Sequence, residues 1–373
     1  MGHDMRQHAR TSLRPAALLA ALLALPAATP AAHVPAPAGS ASQAPEDDQE
    51  TIRVVTTLPT YAAIAREITG DLARVEAIAR GDEDPHFVTP RPSFARAISR
   101  ADLFVTTGLD LEVWVPGLLD RANNARVLEG APGHVVAHSG IRLLDVPETA
   151  SRAGGDIHVY GNPHVHTDPV NAAQIARNIL AGLRRVDPDN AAEYERRTRD
   201  FEDRVLRRTF GDRIVELLGP ESLFELARAG RFWSFVEGRE IDGRPLVDHL
   251  GGWLEEAAPF RGRQLACYHK NWSYFSHRFR IPCSIYVEEK PGVPPTPGQV
   301  GRVIRFMRGE ELPVLLAANY FSRGQVDRVA ERTGGTAVIV PEHVGGAEGV
   351  DTYFDLVDLW VTRLAEAYSG RAR

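Results

Sequence analysis

At 373 residues the chain is longer than one ordinary hydrophobic core requires and suits two α/β lobes. The formal charge of −6 becomes −8 once residues 1–32, with Arg6, Arg10, Arg14 and Asp4, are set aside, and so acidic a chain is a poor nucleic-acid binder, since that binding depends on clustered cations. Only two lysines occur, Lys270 and Lys290, and no Gly-rich loop ends in Gly-Lys-Ser/Thr, so the chain is not itself a P-loop ATPase.

The three early arginines precede an apolar stretch from Pro15 to Ala28 and small residues through Ala32, an order that reads as a secretory signal over residues 1–32. The apolar run is short and holds Pro26, which disfavours a spanning helix, and no cysteine follows it to carry a lipid anchor. Residues 33–50, rich in Ala, Pro, Ser and acids, are expected to be a disordered lead-in to a periplasmic protein.

From residue 51 strand and helix patterns alternate, as expected of an N-terminal α/β lobe over 51–186. Ile52–Thr57 is a β-branched run, and Pro59 opens an amphipathic helix with Tyr61, Ile64, Ala65 and Ile68 on one face. Strands are expected at Val75–Ala79, Asp102–Thr106 and Arg126–Leu128, with helices at 92–100 and 111–122. A further helix spans 170–183, and a long charged helix over 187–218 reads as a solvent-exposed rod between lobes. The second lobe, 219–373, begins with mixed signals to Phe260. Strands follow near 264–268, 284–287, 314–317 and 337–340, with helices near 272–279, 297–307, 322–333 and 351–367. Cys267 and Cys283, the only cysteines, are candidates for a disulfide in an oxidising compartment, the alternative being two buried thiols.

Three histidines stand where strand-like runs give way to loops: His86 in Asp84-Pro85-His86, His164 in Asn162-Pro163-His164, and His269 after Leu265–Tyr268. Proline stiffens the first two loops, and ligand sites in open α/β sheets gather at the carboxyl ends of strands. Convergent neutral imidazoles are the beginning of a zinc site. His134, His138, His249 and His277 are better read as ordinary surface or core residues. His158 and His166 lie near His164, and a helix start after His164 is expected to turn His166 aside.

Gly81–His86 with Pro92-Ser93, Ala101–Leu103 and Gly108–Trp114 resembles the first-lobe signature of periplasmic metal-binding proteins of zinc/manganese ABC importers. Gly161–His164 with Asp168-Pro169, then Tyr268–Phe275, then Glu288–Pro295, are similar to later stretches of that family, in order, so the resemblance covers residues 52–367. It implies two wound parallel-sheet lobes joined by a single long rigid helix, with metal in the cleft between them. His86, His164 and His269 take the ligand roles. Nitrogen donors favour Zn2+, whereas manganese sites use more carboxylates.

The family's usual fourth ligand is an aspartate about a dozen residues before a Tyr of the closing helix. Counting back from Tyr353 reaches Pro341-Glu342-His343, where Glu342 is the first candidate, with His343 and a bound water as competitors. Many zinc members carry a His-rich loop ahead of the second motif, but residues 145–160 hold one histidine, His158.

The function implied is zinc capture in the periplasm and delivery to an ABC importer permease by a monomer that is neither enzyme nor membrane-anchored. Manganese or iron capture on the same scaffold is the first alternative. A secreted zinc hydrolase with Glu342 as general base is the second, against which stands the lack of a His-Glu-x-x-His helix or a Gly-x-Ser-x-Gly elbow.

Overall fold

The computed structural model describes residues 51–147, 158–290 and 292–370. The expected signal (1–32) and lead-in (33–50) lie outside the described residues, as does most of the stretch before His158.

The first lobe is built from β1 (Ile52–Thr56), α1 (Pro59–Thr69), β2 (Ala73–Ala77), α2 (Pro92–Ser99), β3 (Leu103–Thr106), α3 (Val115–Ala122) and β4 (His134–Val136). Its strands lie in the order β2-β1-β3-β4, all parallel, with Val54 opposite Val75 on one side and Leu103 on the other. Pro59 starts α1 at a position where its missing N–H costs nothing, and Tyr61, Ile64, Ala65 and Ile68 bury the face the spacing predicts. One strand differs from expectation. Residues 125–127 form a 3-10 turn begun by the Asn124 side chain, which accepts from the Arg126 amide. The fourth strand is instead His134–Val136, three residues long and too short for its alternation to be read.

Two long helices follow, α4 (Pro169–Val186) and α5 (Ala191–Phe210), then α6 (Asp212–Leu218), α7 (Pro220–Arg228), α8 (Phe232–Val236), a hairpin of β5 (Glu240–Ile241) and β6 (Arg244–Pro245), and α9 (Gly252–Glu256). The connecting helix ends at Gly211 and does not run on to residue 218. Gly211 has φ of 86°, and a Cβ there would stand 2.5 Å from Gly251 Cα, so chain crossing rather than helix propensity breaks the rod. Nor is α5 exposed all round. Tyr194, Thr198, Phe201 and Val205 bury one face. Along the edge of that face Arg204 reaches Glu67 on α1, and Arg208 reaches Asp358 at 2.7 Å on the closing helix.

The second lobe comprises β7 (Leu265–Cys267), α10 (Ser273–Phe279), β8 (Cys283–Tyr286), α11 (Pro297–Gly309), β9 (Val314–Ala318), α12 (Arg323–Thr333), β10 (Thr336–Val340) and α13 (Tyr353–Tyr368). Its strand order is β10-β9-β7-β8, again all parallel. Alternate residues serve opposite faces: Leu265, Cys267, Val314 and Leu316 join the main core, while Ala266, Leu315 and Ala317 join a smaller one under α11 and α12. Cys267 and Cys283, on neighbouring strands with Cα atoms 5.5 Å apart, form a disulfide.

A buried ion pair bridges the two lobes. Asp168 caps α4 by accepting from Val170 N and takes two 2.9 Å hydrogen bonds from the Arg278 guanidinium on α10. A planar fork on a carboxylate fixes angle as well as distance, so α10 is held at a set orientation to α4.

Candidate metal centre

His86, His269 and Glu342 stand past the carboxyl ends of parallel strands and His164 at a helix start, the kind of place where open α/β sheets bind their ligands. His86 lies in a 3-10 turn after β2, where Asp84 Oδ1 accepts both its amide (3.0 Å) and its Nδ1 (2.7 Å). Trp114 Nε1 donates to Pro85 O at 2.8 Å and pins the turn from behind. His164 opens the turn before α4, and Asn162 Oδ1 accepts its amide at 2.9 Å. The same Asn162 side chain donates to Lys270 O and Ser273 Oγ, while the Asn162 main-chain carbonyl accepts from Tyr274 OH. Asn162 thus couples the His164 loop to the second-lobe turn that begins with His269.

The three histidines expected to converge do so, and a fourth joins them. Ring centroids of His86 and His164 are 5.3 Å apart, and His269 stands 6.0 Å from His86 and 6.3 Å from His164. His158 lies 5.1 Å from His86, ring to ring, with the two Nε2 atoms 3.0 Å apart. All four side chains are buried. Rings on one tetrahedral zinc have centroids roughly 5 Å apart, given Zn–N near 2.1 Å, so His86 stands at that spacing from both His158 and His164, whereas His158 and His269 are each 6.3 Å from His164. One ligand atom from each of His86, His158 and His164 lies within 4.8 Å of the others, a group His269 does not yet join.

Each ring is oriented through its Nδ1. Asp84 holds that of His86, Leu109 O that of His158 (3.2 Å), Glu342 Oε1 that of His164 (2.6 Å) and Glu288 O that of His269 (3.3 Å). Carbonyls and carboxylates only accept, so all four Nδ1 atoms carry the proton and all four Nε2 atoms present lone pairs. Two lone pairs 3.0 Å apart, as on His86 and His158, repel unless a cation lies between them. Acceptor partners of this kind are what fix metal-bound imidazoles.

The Leu109 carbonyl is aimed by an unusual loop. Leu109 and Asp110 both have positive φ, at 58° and 60°, a conformation that costs side-chain-bearing residues energy. Glu112 holds the loop, its carboxylate accepting from Thr57 Oγ1, Thr107 N and Gly108 N.

Burial disfavours the charged form of two of these rings. It pushes His269 down to about 3, aided by the neighbouring rings of His86 and His164, and it holds His164 well below the ordinary histidine value. Burial acts the other way on Asp84, but hydrogen bonds and charge from His86 overcome it and hold the carboxyl below its usual range. Glu288, near His269, is pushed up to about 7 by burial.

Glu342 is fully buried, and both its oxygens are engaged: Oε1 with His164, Oε2 with Asn271 Nδ2 (2.8 Å) and Tyr320 OH. Beneath it His166 and His343 stack with centroids 4.6 Å apart. The turn after His164 does carry His166 away from the four-histidine cluster, as expected. Of the histidines set aside as ordinary, His138 donates from Nδ1 to Thr107 O, and His134 meets Thr106 Oγ1.

His158 is the residue that sequence reasoning left undecided. It lies in a loop without periodicity, and its one signal is a position six residues before His164.

Residues 54–208 and 247–367 match the family described as zinc-uptake complex component A, periplasmic. The iron-binding protein YfeA of Yersinia pestis is 24% identical over 338 residues, 89% of this chain and 91% of YfeA. The manganese-binding lipoprotein MntA of Halalkalibacterium halodurans is 21% identical over 343 residues, 89% of this chain and 95% of MntA. The high-affinity zinc uptake system protein ZnuA of Paracoccus denitrificans is 30% identical over 178 residues, 39% of this chain and 51% of that protein. A crystal structure of ZnuA superposes with a TM-score of 0.63 at 19% identity, covering 86% of this chain and all of that one, a likeness of fold.

Proposed function

This chain belongs to the periplasmic zinc-uptake component A family of metal-binding, solute-binding proteins of ABC importers, and on that premise we propose that its cargo is zinc. It captures the ion in the periplasm through the Nε2 atoms of His86, His158, His164 and His269 and hands it to a membrane permease. The observation that carries this reading is the set of four buried rings whose Nδ1 atoms all face acceptors, leaving four lone pairs for one ion. Nitrogen donors suit zinc, whereas manganese and calcium sites favour oxygen.

Glu342, expected as a direct fourth ligand, takes a different role in this proposal. Its Oε1 receives the His164 proton, so it orients a ligand and raises its basicity, while His158 supplies the fourth donor. His269 comes from the second lobe, so small rocking of the lobes carries it the last step towards the ion. No helix among the described residues is long and apolar enough to cross a membrane. With relatives named for iron and manganese as well as zinc, selectivity is the point to test. Titration of metal-stripped protein in a zinc–manganese competition is expected to show zinc preferred by at least about 100-fold, in keeping with the rise in affinity from Mn2+ to Zn2+ at nitrogen sites. Equal affinity, or preference for manganese, overturns the zinc assignment.

A further inference from the structure

We propose that His166, His343 and Glu342 form a second, inner site for a borderline divalent cation such as zinc, separate from the four-histidine site above it. One ligand atom from each of the three lies within 4.8 Å of the other two, and all three side chains are fully buried. His166 Nε2 stands 3.5 Å from Glu342 Oε1, close to the donor–donor spacing of about 3.3 Å around a tetrahedral zinc. Neither ring nitrogen of His166 meets a partner in good hydrogen-bond geometry, the Glu342 backbone and carboxylate being its nearest polar neighbours, and Nε2 of His343 has no partner. His166 differs here from the outer rings, where every Nδ1 meets an acceptor. Buried polar atoms in folded proteins are almost always paired, so three orphaned nitrogens beside one carboxylate call for a ligand. Packing alone does not explain them, since an apolar ring would fill the same space without leaving nitrogens unmet.

Local structure orients the pair. The Tyr353 hydroxyl donates to His166 O at 2.9 Å and fixes the turn that carries this ring. Thr60 Oγ1, which accepts from Val344 N, lies 3.2 Å from His343 Nδ1 and leaves Nε2 as the ligating atom. Two imidazoles and one carboxylate form a donor set of the kind zinc takes with an open fourth position. Glu342 Oε1 is shared, since it also accepts from His164 Nδ1. An ion below draws electron density from that oxygen and weakens its hold on the outer ligand, so filling one site lowers the affinity of the other.

The inner site does not depend on the outer reading, and one experiment separates them. Metal-stripped mature protein is titrated with zinc, and bound metal is counted by elemental analysis in wild type, in His269→Ala and in His166→Asn/His343→Asn. The expected result is two ions in wild type, the second bound at least tenfold more weakly, and one in each variant. One ion in wild type, lost in His269→Ala and kept in the double variant, overturns the inner site and leaves the outer reading intact. One ion kept in His269→Ala and lost in the double variant upholds the inner site and overturns the outer. If the double variant does not fold, cobalt(II) titration of the unmodified protein decides: tetrahedral absorption rising to two equivalents supports the proposal, and saturation at one, abolished by His269→Ala, overturns it.

Discussion

His164 donates its Nδ1 proton to Glu342 across 2.6 Å, and with the two residues 178 positions apart in the chain this one bond ties the loop before α4 to the end of β10. It joins the two lobes at the floor of the cleft and sets the tautomer of a ligand in the same contact. Removing it separates orientation from ligation. Glu342→Gln is expected to weaken zinc binding at the outer site by about 10- to 100-fold, the usual cost of losing an outer-sphere partner, without abolishing it. Competition against a chelator measures this, and complete loss of outer binding would mean that Glu342 ligates directly.

His158 is placed in the proposed ligand set, so His158→Ala is expected to cost more than about 100-fold in zinc affinity, beyond the outer-partner range. His138, whose Nδ1 is bonded to Thr107 O, serves as the control, and His138→Ala should leave affinity unchanged. Equal titration curves for the two variants would remove His158 from the site.

The buried histidines make the metal-free protein sensitive to acid in a defined window. Burial lowers His166 to about 4 and His269 and His343 to about 3, while unfolded histidine titrates near 6.5. As pH falls below about 6.5 the unfolded chain takes up protons that the folded chain refuses, so stability present at neutral pH is lost progressively down to about 3. Each pH unit inside that window costs up to about 1.4 kcal/mol per histidine. Thermal melts of metal-free protein from pH 7.5 to 4.5 should show Tm falling below pH 6.5, and His343→Asn should flatten the slope. A Tm rising towards acid would contradict the burial argument.

Asp168 and Arg278 form a bidentate pair that is buried on both sides. Truncating one partner strands the other, so Arg278→Leu should destabilise by about 3–5 kcal/mol. Asp168→Asn should cost less, because it keeps a capping oxygen for α4. Urea unfolding measures both, and a loss below about 1 kcal/mol in Arg278→Leu would show that the lobes are held by other contacts.

The Cys267–Cys283 bridge closes a loop between adjacent strands, with a sequence separation of 16 residues. Chain entropy assigns such a bridge about 3 kcal/mol, so a Cys267→Ala/Cys283→Ala variant should unfold at correspondingly lower denaturant while keeping zinc affinity within about twofold. Lost affinity would show that the bridge also sets the position of His269, two residues beyond Cys267.

Much of this molecule was readable along the chain because its signals are local. Apolar alternation and helical spacing marked most of the parallel strands and the helices between them, the exceptions being Arg126–Leu128, where a side-chain cap outweighed strand propensity, the short strand His134–Val136, and the connecting helix, which breaks at Gly211. The loops carrying His86, His164 and His269 were visible because proline and strand ends fix where a side chain projects. What the sequence determined by itself was therefore the two-lobed α/β plan and three of the converging rings. Tertiary structure alone decided the rest. It drew His158 in from a segment with no pattern, turned both Glu342 oxygens onto hydrogen-bond partners, and stacked His166 on His343 beneath them. Periodicity records which face of an element is buried, whereas these three outcomes depend on distances between residues far apart in the chain, and those distances exist only once both lobes have packed.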